Sequence, residues 1–140
     1  MEQNPVGLDG MEFIEYCGPS ASQLETLFGQ LGFTEIGTHK TKKFRLFRQG
    51  DINFLLNEES VGFSSDFGKA HGLSICSTGF RVHNAEAAFK AAIERGAKPY
   101  TTEDDKSFPY PAVYGIGDSL IYFIEDYGDK NIYDEEFAFR

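Results

Sequence analysis

The side chains that most often bind metal ions are few and scattered in this sequence. Its three histidines are His39, His71 and His83. Lysines follow His39 and repel cations, while His71 and His83 stand in or beside predicted loops, so we interpret all three as surface or loop histidines. Cys17 and Cys76 fall on predicted strands that could be neighbours, which allows a metal pair or a disulfide. Two small, buried core residues are the simpler interpretation of these cysteines.

Other residue patterns typical of catalysis are also weak. The Gly-x-Ser-x-Gly arrangement of a nucleophilic serine is absent, and neither cysteine has a histidine close in sequence. The acid pairs Asp104-Asp105 and Glu125-Asp126 fall in a polar loop and at a strand end, where we expect solvated carboxylates. The one basic cluster, within residues 40–48, alternates with apolar residues, which favours a half-exposed strand over an anion site.

Composition limits the possible functions further. The 140 residues carry 13 basic and 22 acidic side chains, a formal net charge of −9 that disfavours nucleic acid as a partner. The sequence contains no apolar run long enough to span a membrane and no basic-then-apolar leader, so we expect no membrane contact. With two cysteines, a reducing cytoplasm is the expected location. A chain of this length can bury one core of its own.

The elements that must position these residues follow the same order twice along the chain. In the first half, Ser20 and Gln23 have the spacing of a capping box after a strand at residues 11–17. The helix that follows has its apolar side chains on one face: Leu24, Leu27, Phe28 and Leu31. Three further strands are predicted at residues 33–39, 42–49 and 52–57.

The second half repeats this order. A strand at residues 73–82 precedes Asn84, which is a good N-cap for the next amphipathic helix. An extended piece at 98–102, a polar loop at 102–106 and a proline-containing edge strand at 108–114 come next, and an apolar strand at 120–125 ends the half.

We therefore predict an α+β fold made of two tandem βαβββ modules in a single domain. The modules occupy about residues 10–57 and 73–126, and they pair around a shared core because one module cannot cover both faces of its own sheet. A linker occupies about residues 58–72, with one helical turn at 63–69, and a C-terminal tail occupies about residues 127–140.

Short blocks in a fixed order resemble the N-terminal part of the bacterial 4-hydroxyphenylpyruvate dioxygenase family. The blocks are Asn4-Pro-Val-Gly-Leu8, Gly10-Met-Glu-Phe-Ile-Glu15, Leu31-Gly-Phe-Thr34, Arg48-Gln-Gly-Asp-Ile-Asn53, Phe80-Arg-Val82, Gly96-Ala-Lys-Pro99, Gly115-Ile-Gly117 and Ile132-Tyr-Asp134. No single block is specific, but the ordered set covers almost the whole chain. The two tandem modules also resemble the vicinal-oxygen-chelate, or glyoxalase/bleomycin-resistance, fold of that family.

This resemblance implies a place in tyrosine degradation, where the family converts 4-hydroxyphenylpyruvate to homogentisate with a non-haem Fe(II). It implies that two His and one Glu of a C-terminal domain hold the iron, which leaves positions open for substrate and O₂. By the same resemblance this chain is the N-terminal domain, which carries no metal, cofactor or catalytic residue. The missing C-terminal catalytic domain is its implied partner.

The fold resemblance also indicates where a metal would bind if this domain held one. In that fold the ligands project from the first, fifth and eighth strands, and these positions fall at Met11 or Glu12, at Ser77 and at Tyr122. A neutral hydroxyl is a poor Fe(II) ligand, and one carboxylate does not hold a divalent ion in competition with water. We therefore expect no catalytic iron in this chain.

The alternative function is a free-standing protein of the same fold that binds an aromatic or hydrophobic small molecule in its cleft. Its candidate cleft residues are Glu12, Tyr16, Ser77, Tyr114 and Tyr122, although plain core packing also explains the tyrosines. A complete metalloenzyme such as a glyoxalase or an extradiol dioxygenase needs ligands that this chain does not supply.

Partners follow from the dioxygenase interpretation. We expect Phe137 and Phe139 to pack against the missing domain or its linker. We expect a homodimer, because an exposed apolar face between domains usually finds a partner.

Overall fold

The computed structural model describes residues 3–102 and 105–140. Its elements in chain order are β1 (Leu8–Cys17), α1 (Gln23–Gln30), β2 (Thr34–His39), β3 (Phe44–Gln49), β4 (Ile52–Asn57), α2 (Phe63–His71), β5 (Ser74–Val82), α3 (Ala85–Glu94), β6 (Ala112–Tyr114), β7 (Leu120–Ile124), α4 (Ile132–Glu136) and β8 (Phe137–Phe139). A 3-10 turn at Ile116–Asp118 separates β6 from β7. Within the described ranges, no helix is both long and apolar enough to cross a lipid bilayer.

The described strands form one sheet of eight, in the order β6-β7-β5-β1-β4-β3-β2-β8. β1 pairs in parallel with β4, and β5 pairs in parallel with β7, so each half places its first strand beside its last. β1 and β5 then pair antiparallel and join the two halves at the centre. The predicted α+β fold of two tandem modules is confirmed. In the second module, a single Pro99–Val113 bridge stands where the first has β2, as far as the described residues show.

Three apolar clusters pack around this sheet. Helix α1 packs Phe28 against Phe47 on β3, with the ring centroids 5.2 Å apart. Helix α3 packs Ala88 into a second cluster with Phe123 on β7. The third cluster is the largest and includes Tyr122 together with residues from both modules and from α4. The two halves therefore share one core in addition to the cluster beneath each helix.

The starts of the helices α1 and α3 differ in how well the sequence predicts them. The Asn84 side chain accepts a hydrogen bond from the backbone N–H of Ala87 at 2.8 Å, which confirms it as the N-cap of α3. The capping box at Ser20 and Gln23 is wrong, because α1 begins only at Gln23 and Ser20 takes a left-handed conformation with φ of 59°. A capping residue needs extended backbone, which the sharp turn after β1 does not allow at Ser20.

The predicted apolar face of α1 is only partly buried. Phe28 is buried and Leu24 is half-buried, whereas Leu27 and Leu31 are exposed. A period of three and four residues identifies the helix, but this eight-residue helix contacts the sheet along a narrower line than the pattern predicts.

The C-terminal segment at 127–140 is part of the domain rather than a tail. It contains α4 and β8, and β8 pairs antiparallel with β2, with Thr38 opposite Ala138. This pairing covers the edge that β2 would otherwise expose. The expectation that Phe137 packs against a missing domain is wrong, because Phe137 is 2% exposed within this chain's own core. Phe139 is 47% exposed.

One further expectation, that His39 lies on the surface, is wrong in the same region. His39 is buried rather than on the surface: its Nε2 lies 2.7 Å from Oε2 of Glu136, so it joins β2 to α4. The predicted polar loop at 102–106 ends in Lys106, which is buried together with Ser107. His71 and His83 are exposed, as predicted.

Candidate functional site

A buried carboxylate lies where the two modules meet at the centre of the sheet. Glu15 on β1 stands opposite Ser77 on β5 and is 1% exposed. Its Oε1 accepts a hydrogen bond from the Ser77 hydroxyl at 2.6 Å. Its Oε2 accepts from the hydroxyls of Ser64 and Ser107 and from the amide of Asn57, each at 2.7 Å. We call these five residues the Glu15 cluster.

Five separate parts of the chain bring the Glu15 cluster together. Strand pairing places Ser77 beside Glu15, and Asn57 stands at the end of β4. Ser64 lies in the first turn of α2, and Ser107 comes from the segment between α3 and β6. The backbone N–H of Ser107 also donates to the Tyr122 hydroxyl at 3.0 Å, which joins β7 to the cluster. Both modules and both connecting segments therefore converge on one carboxylate.

Aromatic rings cover one side of the Glu15 cluster, while Asn57, Ser64 and Ser107 also line a cavity of about 160 Å³. The Tyr122 ring packs against the rings of Phe13 and Phe108 with centroid distances of 5.9 and 6.0 Å. Burial raises the pKa of the Tyr122 hydroxyl well above its usual range, so this hydroxyl stays protonated. The inner face of the sheet is thus filled by the protein's own side chains at this point.

The chemistry open to the Glu15 cluster follows from its hydrogen bonds. A carboxylate has about four acceptor positions, and four protein donors already engage this one. Its remaining members are neutral hydroxyls and an amide, a donor set that does not fit Fe(II). Among the described residues, no group of three or more His, Cys, Asp or Glu side chains is placed to hold a metal ion. The hydrogen bonds of the Glu15 cluster therefore serve to connect the elements that contribute its residues.

The two cysteines border this cluster as buried, free thiols. The Cys76 thiol donates to the Ser64 hydroxyl at an Sγ–Oγ distance of 3.4 Å. A contact with Cys76 lowers the pKa of Cys17, while burial raises the pKa of Cys76 well above its usual value. The interpretation of these residues as small buried core residues is confirmed.

The structure changes one of the three positions assigned by the fold resemblance. Ser77 and Tyr122 lie at the inner face as expected, but the residue opposite Ser77 is Glu15, not Met11 or Glu12. Met11 pairs with Phe80 instead, and β1 carries register shifts beyond it. The shift between Met11 and Phe13 moves the register by one residue, whereas Glu15 stands three residues beyond Glu12.

The other predicted cleft residues lie in different surroundings. Glu12 is buried and accepts from Tyr133 at 2.9 Å and from Arg81 at 3.1 Å. Tyr16 packs edge-on against Phe28 in the α1 cluster, and burial raises its pKa. Tyr114 packs edge-on against Tyr100 near the β6 edge. The structure therefore brings together Ser77 and Tyr122 of the five, and places the other three elsewhere.

The charged residues singled out in the sequence mostly serve the fold. Of the basic cluster, Arg45 and Arg48 lie half-buried on β3 as predicted, whereas the three lysines precede the strand. Arg45 pairs with three carboxylates: Glu25, Glu35 and Glu58. These carboxylates raise the pKa of Arg45 against the opposing effect of burial.

Asp105 and Asp126 are less solvated than the sequence predicts, whereas Glu125 is exposed, as predicted. Asp105 accepts from the Tyr100 hydroxyl at 2.9 Å, and burial together with this bond raises the pKa of Tyr100 to about 12. Asp126 accepts from Tyr110 at 2.8 Å. Asp104 lies outside the described residues.

Sequence reasoning missed four of the five residues of the cluster: Glu15, Asn57, Ser64 and Ser107. One signal was available for Glu15, which alternates with Phe13 and Cys17 and so shares their inward face along β1. A lone carboxylate on the apolar face of a strand predicts a buried polar network.

Taken together, the paired modules and the polar cluster at their junction define the class of the protein. It is a glyoxalase-fold domain whose inner face is occupied by its own side chains. A solved xylose isomerase-like TIM barrel/4-hydroxyphenylpyruvate dioxygenase fusion protein has the same fold, with a TM-score of 0.85 and 35% sequence identity over 95% of this chain and 21% of that one.

The sequence comparisons then specify the family. A family profile described as hydroxyphenylpyruvate dioxygenase, HPPD, N-terminal, matches residues 2–138, and the chain belongs to this family. The chain is 50% identical over 137 residues to protein MelA of Shewanella colwelliana, covering 97% of this chain and 39% of MelA. It is 42% identical over 139 residues to 4-hydroxyphenylpyruvate dioxygenase of Pseudomonas sp. (strain P.J. 874), covering 98% of this chain and 39% of that enzyme. The predicted resemblance is confirmed, and the chain spans about two fifths of these relatives.

Proposed function

We propose that this chain is the metal-free structural half of a 4-hydroxyphenylpyruvate dioxygenase. In this proposal a C-terminal domain of the same protein holds the Fe(II) and converts 4-hydroxyphenylpyruvate to homogentisate. The family membership of residues 2–138 supports the N-terminal position of the chain. The absence of catalytic and metal-binding roles in this half rests on the geometry of its inner face.

The Glu15 cluster is the observation that carries this proposal. It occupies the junction of β1, β5 and β7, where the fold resemblance places metal ligands, and protein donors engage the carboxylate there. The alternative, a binding protein for an aromatic ligand, would need the five candidate cleft residues to face one cavity. Glu12, Tyr16 and Tyr114 instead contact different parts of the core.

The proposal extends to assembly. Exposed apolar side chains support a further protein surface on this domain; Met11 on β1 and Ile52 on β4 are 48% and 52% exposed. We place the C-terminal domain and a second copy of the protein among its partners, in the cytoplasm.

Light scattering of the purified chain should give the mass of a homodimer, and a monomer mass at about 100 μM would contradict the dimer.

The metal-free role predicts that the chain neither retains iron nor turns over substrate. Purified chain is incubated with Fe(II) and ascorbate without air, dialysed, and analysed for iron, and then oxygen consumption with 4-hydroxyphenylpyruvate is recorded. We expect iron well below one equivalent and no oxygen uptake above the protein-free rate, because the Glu15 cluster lacks a fitting donor set.

The Pseudomonas relative is the matched positive control in the same protocol, since its length includes the portion that this chain does not span. One equivalent of iron on this chain, removable by a chelator and accompanied by oxygen uptake, would contradict the proposal. Iron without turnover would contradict only the metal-free part of it.

A further inference from the structure

Two arginines face a cavity that is separate from the Glu15 cluster. The cavity measures about 210 Å³ and lies between the turn joining β3 to β4 and the segment that leads into α4. Arg48 and Arg81 line it from β3 and β5, together with Glu12 on β1 and Asp51 in the turn. The sequence pattern around Arg48 favours a half-exposed strand over an anion site.

Both guanidinium groups are held in fixed orientations. Nε of Arg48 donates to Oδ1 of Asn53 at 2.7 Å, and the guanidinium lies over the Tyr133 ring at 5.4 Å. Nε of Arg81 donates to Oε1 of Glu12 at 3.1 Å, and its guanidinium lies over the Tyr127 ring at 5.4 Å. Within the described part of the chain, no further hydrogen bond involves the terminal nitrogens of either arginine.

The two arginines at this cavity differ in whether a carboxylate neutralises them. Arg81 has Glu12 as its counter-ion, and the other Glu12 oxygen accepts from Asn53 and Tyr133. Arg48 is half-buried, and among the described residues no carboxylate lies within 4.0 Å of it. A partly desolvated guanidinium without a counter-ion favours an anion at the site.

We propose that this cavity binds a carboxylate, with Arg48 as the bidentate anchor and Arg81 as a second donor. The planar fork of an arginine matches the two oxygens of a carboxylate. The carboxylates of Glu12 and Asp51 line the same cavity and repel a doubly charged phosphate more than a singly charged ligand. The carboxylate comes either from a free organic acid or from an acidic side chain of an adjoining polypeptide segment.

A neighbouring apolar cavity supplies room for the rest of such a ligand. It measures about 90 Å³, is lined by Met11 and Ile52 among others, and shares Glu12 and Asp51 with the arginine cavity. A carboxylate attached to a small apolar group would therefore contact both surfaces.

Nuclear magnetic resonance of the ¹⁵N-labelled chain tests this proposal. The Nε–Hε signals of Arg48 and Arg81 are followed during titration with sodium acetate, sodium phenylacetate and N-acetylglutamate amide, at constant ionic strength. We expect saturable shifts with dissociation constants on the order of 1 mM for the best of these small ligands. Acetamide and sodium chloride are the controls, and neither should produce a saturable shift.

Three variants give the test its specificity. Arg48→Gln should weaken carboxylate binding at least about tenfold, because it removes a charge-assisted bidentate contact. Asp51→Asn should strengthen binding, since it removes a like charge without touching either arginine. Arg95→Gln is the matched control at an exposed arginine outside the cavity and should leave binding unchanged.

The outcomes separate the two sources of the carboxylate. Tighter binding of phenylacetate supports a free organic acid, tighter binding of N-acetylglutamate amide supports a polypeptide side chain, and equal binding supports recognition of the carboxylate alone. The proposal is overturned if none of the three carboxylates gives a saturable shift, or if Arg48→Gln responds as the unmodified chain does. These results do not depend on iron or on the dioxygenase role.

Discussion

Glu15→Ala is expected to lower the free energy of unfolding by about 3–5 kcal/mol, the loss typical of removing one partner from a buried charged network. The substitution leaves the donors of Ser64, Ser77, Ser107 and Asn57 without the acceptor that they share. Each unsatisfied buried donor costs about 1–3 kcal/mol, less where neighbouring hydroxyls can bond to each other. Urea unfolding followed by circular dichroism measures the change.

One further variant separates the effect of the Glu15 charge from the effect of its side-chain size, and a second variant is the surface control. Glu15→Gln keeps the side-chain size and one acceptor oxygen, so a smaller loss of about 1–3 kcal/mol is expected. Glu94→Ala removes an exposed carboxylate at the end of α3 and should change stability by less than about 0.5 kcal/mol. A loss below about 1 kcal/mol for Glu15→Ala would mean that the cluster does not hold the two modules together.

The fold could be predicted because short-range sequence patterns indicate most of the elements of each module. The strand periodicity, the Asn84 cap and a helical turn at 63–69 all follow from short-range patterns. The structure has the cap, and it extends the turn to the helix α2 at Phe63–His71. The errors lie where a short-range pattern meets a tertiary constraint. Ser20 has capping-box spacing, yet the tight turn after β1 gives it a left-handed backbone that excludes the role.

The Glu15 cluster could not be predicted because it depends on sequence-distant contacts and on a local irregularity of β1. Ser107 is 92 residues from Glu15 along the chain, and Ser64 lies in a segment that the sequence presents as a linker. A register shift between Glu15 and Tyr16 further changes which residues of β1 face β5. The family resemblance assigns the first-strand position to Met11 or Glu12, whereas the β1 residue that pairs with Ser77 is Glu15.

In the proposed metal-free role, the polar cluster does the structural work that a metal would do at the centre of the domain. A metal bound at the positions that the fold resemblance indicates would connect β1, β5 and β7 through shared ligands. Here hydrogen bonds to one carboxylate connect β1, β4, β5 and both connecting segments, and Tyr122 adds β7 through Ser107. Every buried polar side-chain atom of the described residues has a hydrogen-bond partner. The hydrogen bonds of the cluster therefore leave no buried polar side chain unsatisfied.

Phe137→Ala tests whether the C-terminal segment belongs to this domain. Phe137 is 2% exposed, packs against Tyr133 with ring centroids 5.9 Å apart, and joins the cluster shared by both modules. Truncation of a buried phenylalanine typically costs about 3–5 kcal/mol, through lost burial and the cavity left behind. The expected result in urea unfolding is a loss of that size with an unchanged slope, since the unfolded surface stays nearly the same.

Phe139→Ala is the matched control, because it is the same substitution two residues further along β8. Phe139 is 47% exposed, so the expected loss is below about 1 kcal/mol in the isolated chain. A small loss at Phe137 would mean that β8 docks only when a further domain is present, as the sequence alone suggested for both residues. A large loss at Phe137 and a small one at Phe139 would show that the two residues of β8 have different roles: Phe137 completes the core of this domain, and the exposed Phe139 remains available to a further protein surface.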